Sequence, residues 1–126
     1  PKQGNGEALA QGEWQESINP TPTLLFRYSA VTFNGHRIHY DYPYVTGTEG
    51  YSGLVVHGPL IATLSLRAFC RAHPDASVRR FAYRGVRPLI APQPFAVGGR
   101  VTEPGVAALW AGNADGLAQT AEIHFE

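Results

Sequence analysis

The sequence contains no methionine and a single cysteine, Cys70. A lone cysteine excludes an internal disulfide, so the chain is compatible with a reducing compartment. Set in an apolar segment, Cys70 is expected to pack as a small hydrophobe. No apolar run reaches the length of a membrane span, and the N-terminus carries no apolar core of a secretory signal. Charged residues make up only 16% of the chain and sum to a formal net charge of zero. That balance disfavours a general nucleic-acid binder, and neither nucleic acid nor membrane is expected as a partner. There is no internal repeat. What remains is 126 residues, 44% of them hydrophobic: one domain's worth, able to bury a core without staples.

Residues 1–13 read as a polar, glycine-rich tail or linker. The chain opens on Pro1, which fits either removal of an initiator methionine or truncation of a longer protein; the tail favours truncation. Residues 14–126 form the domain. Residues 14–18 make a short strand, broken by Asn19-Pro20-Thr21-Pro22. Thr21 can cap a helix with Pro22 in its first turn. Leu24, Leu25, Tyr28 and Val31 then follow at helical spacing, and the helix is expected to stop near Asn34-Gly35. Residues 41–52 read as irregular loop with at most a short helical turn. Leu54-Val55-Val56 is a short buried segment. Residues 58–72 give the clearest helix, apolar around most of its circumference and therefore expected to be buried nearly all round. Pro74 ends it.

Strands are expected over residues 78–86, 94–102, 106–111 and 117–125. Asn113-Ala114-Asp115-Gly116 is a hairpin signal. In the last strand Leu117, Ala121, Ile123 and Phe125 fall on one face, with Ala118, Thr120, Glu122 and His124 on the other. An early strand, one dominant helix and four later strands fit an α+β arrangement, an antiparallel sheet wrapped around one long buried helix: the hot-dog fold.

The densest cluster of chemistry is Asn34-Gly35-His36-Arg37-Ile38-His39-Tyr40-Asp41, in the loop after the first helix, where polar side chains can point into a cleft. The second is Leu54-Val55-Val56-His57-Gly58-Pro59, which opens the long helix. With Phe26-Arg27-Tyr28 upstream and Gly50-Tyr51 between, this pattern resembles the MaoC-like hydratase/dehydratase family, and within it the mesaconyl-C4-CoA hydratases and fungal mitochondrial 3-hydroxyacyl-thioester dehydratases. The resemblance implies a carbon–oxygen lyase acting on an enoyl-CoA or 3-hydroxyacyl thioester. It also implies no cofactor beyond the substrate's own coenzyme A or acyl carrier, and a cytoplasmic location, or a mitochondrial one in a eukaryote. Proteins of that subgroup carry a further hot-dog domain ahead of this one, so the chain is expected to be the C-terminal half. It would then work as a homodimer or paired with a second hot-dog domain.

The wider family uses Asp-x-Asn-Pro-(Leu/Ile)-His. Here the histidine falls on His39 and the aliphatic position on Ile38. Asn34 stands at the aspartate position, His36 at the asparagine and Arg37 at the proline. Asn34 cannot take a proton as a carboxylate can, so the resemblance implies a variant site. Hydration needs a base for water, an acid for the carbon beside the carbonyl, and a donor for the enolate-like oxygen. His39 is assigned as principal acid/base and His36 as the second proton-handling group, with Asn34 orienting water or substrate. Asp41 is the candidate to fix the His39 tautomer. The Gly58 N–H, free at a helix start and unobstructed by a side chain, is the oxyanion donor. His57 shapes the helix entry beside the substrate. Tyr51, from the cluster Tyr40, Tyr42, Tyr44 and Tyr51, can wall an acyl pocket. Arg87, among Arg79, Arg80 and Arg84, can meet a coenzyme A phosphate or a substrate carboxylate. His36-x-x-His39 with Asp41 has metal-ligand character, but no third strong ligand accompanies it and no metal is expected. Two other readings of the fold stand beside this one: a thioesterase, and a non-catalytic acyl-thioester-binding half of a larger enzyme.

Overall fold

A computed structural model describes Leu9 and residues 11–126 of the chain; the remainder of the expected tail lies outside the described residues. Its strands are β1 (Trp14–Ile18), β2 (Val78–Gly85), β3 (Phe95–Glu103), β4 (Val106–Asn113) and β5 (Gly116–Phe125). They form one antiparallel sheet in the order β1-β3-β4-β5-β2. The hairpins follow from local chemistry. Asn113 Oδ1 accepts from the Asp115 N–H at 2.9 Å to shape the β4–β5 turn, and Gly116 closes it at φ 120°. β1 can lie close on β3 because Gly99 has no side chain; a Cβ there would stand 2.6 Å from both the Trp14 ring and the Ala108 carbonyl. The pairing with β3 extends to the residue before β1, where the Glu13 N–H donates to Gly99 O and Glu13 Oε1 accepts from the Val101 N–H.

Three helices complete the fold: α1 (Pro22–Val31), α2 (Tyr42–Gly47) and α3 (Gly58–Ala72), with a 3-10 turn at Arg37–His39. The sheet packs against one side of α3. Leu60, Ile61, Leu64, Ala68 and Phe69 are buried, while Pro59, Thr63, Arg67 and Cys70 form an exposed stripe. The helix is therefore not buried nearly all round, and Cys70 is exposed rather than packed. A single curved sheet can cover only one side of a helix, and apolar composition does not say which. One core cluster joins Leu25, Val45, residues 54–56, Leu60 and Leu89; a second joins Phe69, Leu109 and Ile123 under the far end of α3.

Thr21 caps α1 through its side chain, accepting from the Leu24 N–H at 3.1 Å. The helix ends earlier than Asn34: the Thr32 N–H closes on Tyr28 O, and Phe33 turns the chain away at φ 54°. Its inward line runs through Leu25 and Ser29, and Val31 is 78% exposed instead of completing the apolar stripe. The stretch after Asp41 is a true helix, α2, with Asp41 Oδ1 accepting from the Tyr44 N–H at its start. In β5, Ala118 is buried, against the expected alternation. The register shift between Ala111 and Gly112 against β5 adds a residue there and turns Ala118 inward. His73 is half-buried, its ring in contact with those of Trp14 and Phe69.

Candidate active site

Three segments converge at the site: the end of α1, the turn at Arg37–His39 and the extended stretch 54–57 that feeds α3. Each is fixed by short-range bonds. Asn34 Oδ1 accepts from the His36 N–H at 3.1 Å, and the Tyr40 hydroxyl donates to Gly35 O at 3.0 Å. The 3-10 turn follows from His36 O accepting from the His39 N–H. Residues 54–56 are held extended by Val56 N–H to Leu89 O and Ala91 N–H to Leu54 O.

Val55 clamps the histidine turn from both of its backbone groups. Its N–H donates to Ile38 O at 2.9 Å, and its carbonyl accepts from His39 Nδ1 at 2.6 Å. A carbonyl only accepts, so Nδ1 carries the proton and the neutral ring has a bare Nε2. His39 is 7% exposed. Burial pushes its pKa below the ordinary histidine value; the Val55 carbonyl works against that, and the nearby His36 charge adds to it. These are the properties of a base: a fixed tautomer and a ring that is neutral near neutral pH.

Against His39 lies His57, its ring stacked at 3.7 Å between centroids and 19° between planes. His57 is fully buried. Its Nε2 shares a 2.8 Å hydrogen bond with Ser29 Oγ, and the Tyr28 ring meets it edge-on at 4.7 Å. Burial first, and then the His39 charge, push its pKa down to about 4. His36 meets the other side of the group, edge-on to His39 at 5.7 Å. The residue after His57 is Gly58, first residue of α3. Nothing stands within 4 Å of where a Gly58 Cβ would lie. Ile61 N–H is the first amide of α3 to close on a carbonyl, that of His57. The positive end of α3 thus opens beside the imidazole pair.

Asn34, His36, His39, His57 and Gly58 therefore form one continuous group. The other three expected residues sit differently. Asp41 does not set the His39 tautomer: it accepts from the Tyr44 N–H and pairs with Arg37 at 2.9 Å, because capping α2 claims its carboxylate. These two partners hold its pKa low, the Tyr44 amide more than Arg37. Tyr51 packs on the larger core cluster. Arg87 donates to Asn113 Oδ1 at 3.3 Å and lines a separate cleft of about 200 Å³ with Ile90, Gln93 and Asp115. Among its arginine neighbours, Arg79 is paired with Glu126. His57 touches His39 rather than open space. Among the described residues no group of three or more His, Cys, Asp or Glu side chains is placed to hold a metal.

Sequence reasoning passed over two residues. Ser29 lies one turn after Leu25 on the inward face of α1, a polar side chain in an apolar line. Gln119 is buried on β5 and its Nε2 donates to Gly58 O at 3.0 Å, tying the start of α3 to the sheet.

The buried imidazoles make stability pH-dependent. In the unfolded chain each titrates near 6.5, and in the folded chain each titrates lower. Between those values the unfolded chain binds more protons, so stability rises with pH there. The contribution is complete above about pH 6.5 and is lost as pH falls towards about 4. The urea midpoint is expected to fall steadily over that window, and His57→Phe is expected to flatten most of the slope.

A five-stranded antiparallel sheet packed on one long helix is the hot-dog fold. The chain belongs to the hydroxyacyl-thioester dehydratase type 2 family, which matches residues 2–91. It is 52% identical over 79 residues to the mesaconyl-C(4)-CoA hydratase of Chloroflexus aurantiacus, a stretch covering 63% of this chain and 28% of that protein. It is 37% identical over 99 residues to the mitochondrial hydroxyacyl-thioester dehydratase type 2 of Schizosaccharomyces pombe, covering 77% of this chain and 32% of that one. The matched stretches make up less than a third of either relative. Among solved structures, the MaoC-like dehydratase from Phytophthora capsici superposes with a TM-score of 0.81 at 13% identity, over 100% of this chain and 45% of that one. No helix among the described residues is long and apolar enough to cross a membrane.

Proposed function

We propose that this domain carries the catalytic groups of a hydratase/dehydratase that interconverts an enoyl thioester and water with a 3-hydroxyacyl thioester. The observation that carries this reading is the His39–Val55 hydrogen bond: it puts the proton on Nδ1 and leaves Nε2 unprotonated, on a ring stacked against His57, the residue that precedes α3. Family membership supports it. In the hydration direction, His39 Nε2 takes a proton from water as the oxygen attacks the β-carbon. The electron pair moves to the thioester oxygen, which the Gly58 N–H stabilises. The α-carbon is then protonated, with His36 as the second group able to supply a proton, and the proton held by His39 replaces the one His36 gave up, so that the enzyme groups end as they began. Asn34 contributes no proton; bonded to the His36 amide, it holds the turn and can orient water.

The identity to the Chloroflexus hydratase supports a short dicarboxylic acyl-CoA such as mesaconyl-C4-CoA as substrate. Arg87 and Tyr51 are the residues assigned to the phosphate or carboxylate and to the acyl wall. The reading needs no metal or redox group. Pairing with a second hot-dog unit is supported by the greater length of the relatives and by the sheet edges at β1 and β2. The mitochondrial name of the Schizosaccharomyces pombe relative supports the mitochondrion as compartment in a eukaryote.

Incubation of the paired protein with mesaconyl-C4-CoA or crotonyl-CoA is expected to bleach the enoyl absorbance without releasing thiol. Thiol release would reassign the domain as a thioesterase. Thioester binding without either change would make it a non-catalytic half.

A further inference from the structure

Nothing in the reaction above calls for a second, fully buried histidine. A buried imidazole with only one hydrogen bond is an expensive way to fill space, and an aliphatic side chain would pack against His39 at lower cost. The geometry of His57 indicates what it does instead. One face lies flat on His39 at 3.7 Å, its Nε2 is held by Ser29 Oγ at 2.8 Å, and Tyr28 abuts it edge-on. Rotation of the His39 ring out of its plane would collide with a ring that cannot itself turn without losing the Ser29 bond.

We infer that Ser29 and His57 are positioning residues for His39: the α1 hydroxyl fixes the His57 ring, and that ring fixes the plane in which His39 presents its bare Nε2. This rests on the assignment of His39 as the base. The Val55 carbonyl alone sets the tautomer and one edge of the ring. The stack supplies the second restraint that a planar group needs to be aimed.

The arrangement also keeps the pair singly charged at most. A protonated His57 would require an acceptor at Nδ1, and that atom is buried without a hydrogen-bond partner. Two imidazolium rings at stacking distance would also repel. Any proton taken up therefore stays on His39, where the reaction uses it. Among the described residues, the ionisable side chains in ring contact with the pair are His36 on His39 and Tyr28 on His57.

The test compares Ser29→Ala, Ser29→Thr, His57→Phe and His57→Ala in the paired protein. Steady-state hydration of crotonyl-CoA is measured together with ring-nitrogen NMR of His39 and thermal unfolding. Ser29→Ala is expected to lower kcat on the order of 10-fold with KM nearly unchanged, and His57→Ala on the order of 100-fold. Ser29→Thr, which keeps the hydroxyl, is expected to recover most of the rate. His57→Phe keeps a ring on His39 and is expected to fall between the two. The NMR is expected to show a single Nδ1–H form of His39 in the wild type, and mixed tautomers with a titration nearer the ordinary histidine value in His57→Ala. Wild-type kcat and an unchanged His39 spectrum in Ser29→Ala and His57→Ala, with only the melting temperature lowered, would overturn the inference. If the wild type hydrates no thioester, the assignment of His39 as base fails, and the His39 spectra alone then decide whether the stack aims the ring.

Discussion

Replacing His39 by asparagine is expected to lower kcat for enoyl-thioester hydration by about 10²- to 10⁴-fold with little change in KM. Asparagine is the informative substitution because its side-chain N–H₂ can reach the place of Nδ1 and keep the bond to the Val55 carbonyl, which His39 now makes at 2.6 Å. The turn at Arg37–His39 would then survive while the basic nitrogen is lost. Alanine would leave the Val55 carbonyl buried and unpaired, at a cost of about 1–3 kcal/mol in stability, and so would mix two effects. Circular dichroism and a melt of the asparagine variant separate them: a folded protein with wild-type rate would remove His39 from the reaction.

The second large effect is expected at Gly58. A Cβ there meets no atom within 4 Å, and Gly58 is not one of the glycines with positive φ. Gly58→Ala should therefore fold as well as the wild type. Its methyl would nonetheless stand over the amide that the thioester oxygen must approach. Loss of one oxyanion donor costs on the order of 10²- to 10³-fold in kcat where it has been measured, and a drop approaching that range is expected here, without loss of melting temperature. A stable variant with full activity would place the oxyanion donor elsewhere. The two substitutions thus probe the proposed base and the proposed oxyanion donor separately, by changes that the fold tolerates.

How much of this could be read from the sequence depends on the range of the interactions. Thr21 as a cap, the Asn113–Gly116 turn, the span of α3 and the antiparallel strands are set by neighbours within a few residues, and the structure has them. The covered side of α3 is decided by where the sheet lies, so the exposed stripe through Arg67 and Cys70 was not legible. Nor was the burial of Ala118, which depends on a register shift between two strands. In the site, His39, His36 and Gly58 were visible as residue types suited to the chemistry. Their supports were not: Val55 lies 16 residues from His39 and Ser29 lies 28 from His57. Asp41 was drawn to His39 by proximity in sequence, but the helix it starts claims the carboxylate through the Tyr44 amide and Arg37. Ser29 left one trace, a polar side chain one turn beyond Leu25 on a buried line.

The most direct test is a crystal structure of the paired His39→Asn protein with crotonyl-CoA. The thioester oxygen is expected about 3 Å from the Gly58 nitrogen, with the β-carbon facing the space vacated by the imidazole. A ligand seated on the outer face of the sheet, with its carbonyl away from the start of α3, would contradict the account.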